Sequence, residues 1–382
     1  MRAWPEEPAV PPPDDSSTWG EIALAAGVPA GRGSPGAPEG AAGAPDAGDA
    51  GAAGGLAPGG GLPPGGGLPP GAHRHGETVH LEAHAHPHVT PPADGRPVLG
   101  IVGAGAVGTA LGVAFARAGW HVGAVASRDA GRRERFRALV PDARAFPDAA
   151  AVLDECHLAI LAVPDDAIAE VAGTLRLYSG QAIVHTSGLH GAEVLAAARA
   201  AGTSAGSFHP LVAFADLERA LAALPGATVA IEGDESLLPV LAEMAESIEA
   251  VPVRLAPGSK VAYHAAAVLA AGGLIALLDA VAALAARTGL DEAGALAVYG
   301  DLSAQALGNA RALGIGPALT GPVVRGDAGS VAAHLEVISS GSPGVAAVYR
   351  ALVLRQVEIA AAHRGLAPDA AERLRALLAG PS

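Results

Sequence analysis

The chain has 382 residues, a formal net charge of −14 and one cysteine. The length allows two or three domains, the acidic balance excludes the clustered basic face that a nucleic-acid partner requires, and the single cysteine excludes an intramolecular disulfide. The longest uncharged run, residues 265–278, is too short to cross a bilayer, and the first residues lack a signal-peptide pattern. We therefore expect a cytoplasmic protein with no nucleic-acid or membrane partner.

Residues 1–96 come first, and their composition predicts a disordered tail. They hold 20 of the 52 glycines and 17 of the 31 prolines, and the unit GGGLPP occurs twice in tandem at residues 59–70. Such a segment has no continuous apolar face whose burial would offset its backbone entropy. Its histidine tract is interpreted as adventitious, so no metal site is predicted. The tract comprises His73, His75, His80, His84, His86 and His88.

An apolar strand predicted at residues 98–102 leads directly into a glycine-rich turn with the spacing GxGxxG. A helix at 109–118 and a second strand at 121–126 follow, which is the context that a dinucleotide-binding turn requires. The three glycines permit the tight bend, the approach of a pyrophosphate and close helix packing, and the helix amino terminus attracts phosphate. A glycine-rich turn without a ligand is the alternative. The predicted phosphate-binding residues are Gly103, Gly105, Ala106, Val107 and Gly108.

The end of the second strand indicates which dinucleotide binds. An acidic residue at this point would bond the ribose 2′-hydroxyl of NAD, but the chain has Ser127 and Arg128, followed by Arg132 and Arg133. A hydroxyl and guanidinium groups favour a 2′-phosphate, which a carboxylate would repel. NADP(H) is therefore the predicted cofactor, bound by Ser127 and Arg128; the two later arginines are equally well explained as solvated surface residues.

Further strands are predicted at residues 158–163, 181–186, 227–231 and 251–255. Their alternation with helices predicts an α/β fold, a Rossmann domain with a doubly wound, mostly parallel sheet over residues 97–256. Ligands in such sheets bind beyond the carboxyl ends of the strands. We therefore expect Val163, Pro164, Thr186 and Ser187 to border the nicotinamide.

Residues 257–380 contain no further strand pattern and predict an all-helical C-terminal domain for substrate binding and dimerisation. Alanine, the residue with the highest helix propensity, is abundant there. Residues 264–286 are apolar around much of the helix circumference, so a homodimer interface is expected to cover them. The predicted helices span residues 260–288, 291–313, 330–339, 345–363 and 369–378.

A few polar residues stand out against this apolar background. Lys260 and His264 are four residues apart and project from one face of the first long helix. A lysine at a helix start opposes the helix dipole, which hints at a function, although a lysine that reaches solvent is the alternative. His209, followed by proline in a predicted loop, suits proton exchange or a simple turn. Arg325 either reaches a substrate carboxylate or pairs with Asp327 in a turn.

In chain order, the segments GIVGAGAVGTAL, LAVPDDAI, HTSG, SFHPL, KVAYHAAAVLA and LTGPVVRGD resemble bacterial proteins with a Rossmann-like domain and a DUF2520 domain, predicted dehydrogenase-like oxidoreductases. More distantly the chain is similar to pyrroline-5-carboxylate reductase, prephenate dehydrogenase, ketopantoate reductase and the β-hydroxyacid dehydrogenases. The resemblance implies that Lys260 matches a catalytic lysine, with His264 where an asparagine follows it. His209 is comparable to the histidine of a His-Pro motif. The chain departs from the family at residues 271–273, which read Ala-Gly-Gly where a polar asparagine is frequent.

These observations predict an NADP(H)-dependent oxidoreductase that acts on a small carboxylate-bearing 2-oxo or hydroxy acid. Lys260 is the predicted acid or carbonyl-polarising group, and His264 or His209 orients it. Two alternatives stay open, namely the reduction of a cyclic imine and a non-catalytic protein that senses NADP(H).

Overall fold

The computed structural model describes residues 73–75, 78–80, 89–90, 92–175, 178, 180–341 and 343–379. Most of the predicted tail, including His84, His86 and His88, lies outside these residues, so its disorder stays a prediction. Within the tail, His73–His75 and Thr78–His80 pair as antiparallel strands, with His73 opposite His80. The glycine and proline content did not predict this ribbon.

One eight-stranded sheet forms the centre of the Rossmann half. Its strands lie in the order β3-β2-β1-β4-β5-β6-β7-β8, and all neighbouring pairs are parallel except β6 and β7. The mostly parallel, doubly wound sheet predicted from the sequence is therefore confirmed. The strands are β1 Leu99–Val102, β2 Val122–Ala126, β3 Arg144–Phe146, β4 Leu158–Leu161, β5 Ala182–His185, β6 Ser204–Pro210, β7 Thr228–Gly233 and β8 Val251–Arg254.

Helices connect the strands and cover both faces of the sheet, because an inner parallel strand is apolar on each side. All four residues of β1 and of β4 are buried. On the two sides lie separate apolar clusters, one around Phe115 and Phe208 and the other around Ile183 and Leu195. The connecting helices are α1 Ala106–Arg117, α2 Ala130–Leu139, α3 Ala150–Leu153, α4 Ile168–Thr174, α5 Ala196–Ala200, α6 Leu217–Ala223 and α7 Leu238–Ser247.

The strand order reverses at β1, whose two neighbours β2 and β4 lead to opposite edges of the sheet. In open α/β sheets the crevice at such a switch point, beyond the carboxyl ends of the strands, is where ligands bind. The turn after β1 and the loops after β4 and β5 meet at this edge.

Strand β6 corrects the prediction that His209 lies in a loop. His185 at the end of β5 pairs with Ser207, so β6 continues for three more residues through Pro210. The polar sequence of β6 hid this strand, which forms because β5 and β7 supply pairing partners on both sides. As a result, His209 is carried beyond the end of β5, over the loop that follows it.

The C-terminal part is helical, as predicted. Its helices are α8 Lys260–Ala270, α9 Gly272–Ala285, α10 Glu292–Leu313, α11 Ile315–Ala318, α12 Ala328–Ser339, α13 Pro343–His363 and α14 Pro368–Ala379. An apolar core joins α12, α13 and α14, and includes Val331, Val357 and Leu374, which are fully buried. This core lies between the last three helices and does not cover the apolar faces of α8 and α9.

Helices α8 and α9 and the turn after them form one segment from Lys260 to Thr288. Among the residues that the structure describes, this segment alone is long and apolar enough to cross a membrane. Its mean hydropathy is 2.2 over the most apolar window. The uncharged run at residues 265–278 had underestimated the length of this segment, because Asp279 ends the uncharged run but the helix continues past it. Only 6% of that window is buried. Leu269 is 75% exposed and Ile275 66%, so a large apolar surface faces outward.

Candidate functional site

The turn between β1 and α1 is tight at both ends and open in the middle. Gly103 has a φ of +108°, and a Cβ there would lie 2.2 Å from the backbone oxygen of Ala162. A Cβ on Gly108 would lie 2.0 Å from the Gly103 oxygen, whereas one on Gly105 would meet no atom within 4 Å. Gly105 begins α1 without a side-chain cap. The first amides of the helix, from Ala106 onward, are therefore accessible to an anion.

The turn after β2 is held by Arg133. Its Nη1 donates to the backbone oxygens of Ser127 at 2.5 Å and Arg128 at 3.2 Å. Ser127 Oγ accepts from the backbone N–H of Asp129 at 3.3 Å. The side chain of Arg128 is exposed and makes no hydrogen bond to the described residues. A fixed turn thus presents one free guanidinium, while Arg132 lies beside Asp129 at 4.0 Å.

His185, at the end of β5, braces the loop that follows. Its Nδ1 accepts from the backbone N–H of Ser187 at 3.2 Å, and its Nε2 bonds the backbone oxygen of Gly191 at 3.0 Å. This pattern requires a neutral ring with the proton on Nε2. Burial lowers the pKa of His185 to about 4, so the ring is neutral at physiological pH. The loop therefore has a fixed path past the edge of the sheet.

Lys260, the first residue of α8, is buried against this loop. The residue is 3% exposed, and its Nζ donates to the backbone oxygen of Ser187 at 2.7 Å. Desolvation lowers the pKa of Lys260 to about 8, against the attraction of Glu232 and Asp165. The side chain does not reach solvent. It is an ammonium group of reduced basicity at the carboxyl edge of the sheet.

His209 and Tyr263 form a pair across the same cleft. His209 Nδ1 lies 3.2 Å from the Tyr263 hydroxyl, and the two rings meet edge to face with centroids 5.6 Å apart. Burial lowers the pKa of His209 to about 4, and the positive charge of Lys260 adds to this effect. Burial also raises the pKa of Tyr263 to about 12. Both groups are therefore neutral near pH 7.

His264 and His209 both rest on Gly188. A Cβ added to Gly188 would lie 2.5 Å from His264 Nδ1 and 2.7 Å from His209 Nε2. The glycine thus allows two imidazoles to approach the loop backbone, with their centroids 6.1 Å apart. His264 Nδ1 is buried and has no hydrogen-bond partner among the described residues.

Three polar residues lie side by side on neighbouring strands of the sheet, and two of them, His185 and Ser207, are fully buried. His185 pairs in register with Ser207, and Ser207 with Glu232. Glu232 Oε1 accepts from the backbone N–H of Ala192 at 3.3 Å, and its Oε2 has no partner in the described part of the chain. The negative charge of Glu232 raises the pKa of Lys260 against the effect of burial, so the carboxylate serves as a counter-charge to the ammonium group. In the same described part, no group of three or more acidic, histidine or cysteine side chains is arranged to hold a metal ion.

The structure brings the three predicted catalytic side chains, Lys260, His264 and His209, together at the loop carrying Thr186 and Ser187. Val163 lies at the neighbouring edge, where its Cγ1 would be 3.3 Å from a Cβ on Gly103; Pro164 follows it and begins a short 3₁₀ turn.

Sequence reasoning missed Tyr263 and Gly188. Tyr263 follows Lys260 by three residues and so shares its helix face, which was a readable signal. The importance of Gly188 depends on two rings from distant segments and had no local signal. Arg325 is exposed in the turn before α12, where Asp327 caps the helix by accepting from the Ser330 N–H at 3.0 Å.

Two family models match the chain, and they confirm the resemblance inferred from the motifs. A Rossmann-like domain covers residues 88–210, and the domain of unknown function DUF2520 covers residues 227–356. Strands β7 and β8 fall inside the second match, so that match begins within the sheet. Among curated proteins, none matches the chain.

Solved structures share the architecture. A candidate NADP oxidoreductase from Bacteroides fragilis, BF3122, is 22% identical with a TM-score of 0.58, over 68% of this chain and 96% of its own. Protein TM1727 from Thermotoga maritima is 26% identical with a TM-score of 0.53, over 70% and 100%. An imine reductase from Pseudomonas sp. is 18% identical with a TM-score of 0.53, over 74% and 99%. These similarities establish the fold, a Rossmann domain followed by helices.

Proposed function

We propose that the protein is an NADP(H)-dependent oxidoreductase that reduces the carbonyl of a small carboxylate-bearing 2-oxo acid, or oxidises the corresponding hydroxy acid. The observation that carries this proposal is the position of Lys260. A buried ammonium group at the carboxyl edge of a dinucleotide-type sheet supports the proposal, because ligands bind at that edge and the ammonium can give a proton to a substrate oxygen.

The residues after β1 and β2 fit the cofactor. Gly105 leaves open space beside an uncapped helix terminus, which suits a pyrophosphate. Ser127 and the free guanidinium of Arg128 suit a 2′-phosphate. The nicotinamide supplies the hydride when the cofactor is bound.

With a cofactor held by these residues, the nicotinamide would supply hydride to the carbonyl carbon, and Lys260 would give a proton to the carbonyl oxygen. The lysine would be left as a neutral amine, which would regain its proton from water. A group with a pKa of about 8 is protonated at neutral pH and still transfers its proton readily, because catalytic acids work best near the operating pH.

The same lysine favours an oxo acid over a cyclic imine. A protonated imine is a cation, and Lys260 would repel it in a buried site, whereas the carboxylate of a 2-oxo acid would be attracted. We therefore expect NADPH oxidation, followed by absorbance, with one or more members of a panel of small 2-oxo acids. Turnover of cyclic imines alone would favour the imine alternative, and tight NADPH binding without turnover on either panel would favour the sensor.

Cofactor preference gives the first prediction. We expect NADPH to bind at least ~10-fold more tightly than NADH, corresponding to ~1.4 kcal/mol, because Arg128 is free to pair with the 2′-phosphate. Ser127→Asp should narrow or reverse the preference by charge repulsion. Ser236→Asp adds the same charge on an exposed residue at the amino-terminal end of the parallel strands. This control should leave the cofactor preference unchanged. Fluorescence titration measures both affinities, and equal values for the wild-type protein would contradict the assignment of NADP(H).

The second prediction concerns association. We propose that the outward apolar face of α8 and α9 forms the interface of a homodimer, since monomeric proteins rarely expose so large an apolar surface. A membrane is a less suitable partner for this face, because the polar side chains of Lys260, Tyr263 and His264 at the start of α8 are held in the cleft. Light scattering at micromolar concentration should give the dimer mass, and Leu269→Glu should give the monomer. Leu139→Glu, on α2, is the control and should stay dimeric; a monomeric wild-type protein would contradict the proposal.

A further inference from the structure

The two ring nitrogens of His209 have different environments. Its Nδ1 meets the Tyr263 hydroxyl at 3.2 Å. Its Nε2 points over Gly188 and has no hydrogen-bond partner among the described residues. The ring is neutral near pH 7, so one nitrogen carries a proton and the other does not. The direction of the bond with Tyr263 decides which.

The contacts favour the tyrosine as the donor in this pair. A phenol hydroxyl can donate one hydrogen bond, and His209 Nδ1 is the acceptor within reach of the Tyr263 hydroxyl in the described part of the chain. If the ring donated instead, the tyrosine proton would have no acceptor among the described residues, which disfavours that arrangement. Tyr263 as donor places the ring proton of His209 on Nε2.

We infer that Tyr263 and Gly188 are positioning residues that present His209 as a neutral Nε2–H donor to a polar atom of the substrate. Tyr263 fixes the tautomer, and Gly188 lets the ring come close to the loop that carries Ser187. His209 then acts by hydrogen bonding, and proton transfer stays with Lys260. The inference deepens the proposed function, and the identity of the substrate rests on that function. The tautomer of His209 does not depend on it.

A neutral donor has a physical advantage beside Lys260. A second cation there would raise the cost of burial and repel the ammonium group, whereas a neutral N–H polarises a carbonyl without adding charge. Strand β6 provides the rigidity that such a donor needs, because His209 pairs with Ala230 of β7 and β5 holds the same strand as far as Ser207.

The tautomer is measured by ¹⁵N NMR of the full chain labelled at histidine. The His209 signals are assigned by their loss in His209→Gln. We expect a protonated Nε2 and an unprotonated Nδ1 in the wild-type protein at pH 7. A protonated Nδ1 would overturn the inference whatever the substrate proves to be.

The substrate contact is tested by titrating the NADPH-saturated protein with oxamate, a 2-oxo acid analogue. We expect the His209 Nε2–H signal to shift, and both Tyr263→Phe and Gly188→Ala to weaken oxamate binding ~10-fold while NADPH affinity changes less than ~2-fold. His209→Gln keeps a donor near the Nε2 position and should retain more affinity than His209→Asn. Gly173→Ala is the matched control, because a Cβ there meets nothing within 4 Å, and should bind as the wild type does.

The outcomes separate this inference from the proposed function. If oxamate does not bind but the cyclic imine 2-methyl-1-pyrroline shifts the His209 signal, the donor role stands and the oxo-acid substrate fails. If neither compound shifts it, or if Tyr263→Phe and Gly188→Ala bind oxamate as tightly as the wild type, the contact with substrate is overturned.

Discussion

Lys260→Met should lose a factor of roughly 10² to 10⁴ in turnover, the usual contribution of a positioned acid or base, while NADPH affinity stays within about twofold. The methionine fills a similar volume but cannot donate a proton. The thermal midpoint of the variant should fall, because Glu232 loses its counter-charge and the Ser187 oxygen loses its donor. Turnover is measured on whichever 2-oxo acid the panel identifies, with NADPH titration of both proteins as the test that the fold is intact.

The pH profile separates proton donation from simple positioning. Since burial lowers the pKa of Lys260 to about 8, the rate of reduction should fall above pH 8, as the acid loses its proton, and the rate of the reverse oxidation should rise there. Lys260→Met should abolish the change of rate near pH 8 in both directions. His264→Ala should lose less than the lysine variant, and the double variant little more, because both act on one proton transfer. An unaltered rate in Lys260→Met would exclude the role of Lys260.

Acid should destabilise the protein steeply between pH 6.5 and about 4. Burial depresses the pKa of His185 and of His209 to about 4 from an ordinary value of 6.5. The folded state therefore binds fewer protons than the unfolded state in this interval, so stability is complete above pH 6.5 and falls as the pH decreases toward 4. Each ring contributes about 2–3 kcal/mol to the loss, a large part of the stability of an average domain.

Urea denaturation at several pH values measures this loss. His209→Gln removes one of the two groups and should flatten the profile by about half, whereas His121→Gln, an exposed residue before β2, should leave it unchanged. Carboxylates also contribute to acid unfolding, so the difference between wild type and His209→Gln is the informative quantity. Parallel profiles for the two proteins would show that His209 is not held neutral by burial.

Local patterns predicted most of the fold. The apolar strands β1 and β4 and the glycine turn were readable because burial on both faces and the GxGxxG spacing each leave a mark on neighbouring residues. The start of α10 was also local, because Asp291, where this helix was predicted to begin, caps it through the Gly294 N–H. Helix α12 was predicted from residue 330, but it begins at Ala328, after the capping residue Asp327. Strand β6 had no such pattern, since its pairing comes from strands distant in sequence.

The candidate site was only partly predictable for the same reason. Lys260 and His264 share a helix face, which spacing shows, and His209 stood out by residue type. Their meeting at Gly188 depends on how α8 docks against the sheet, which is a tertiary property. The pKa values of His209 and Lys260 likewise follow from burial, and no sequence pattern encodes that directly.

The crystal structure of the full chain with NADPH bound is the most direct test of the central claim, that Lys260 works on a substrate held against the nicotinamide. The account predicts that the ring lies beside the loop of Thr186 and Ser187, with Lys260 close enough for one small substrate to bridge them at hydrogen-bonding distance, ~3 Å from the ammonium group. A nicotinamide more than ~10 Å from Lys260, with no path for the cleft to close, would contradict direct proton transfer and favour the sensor.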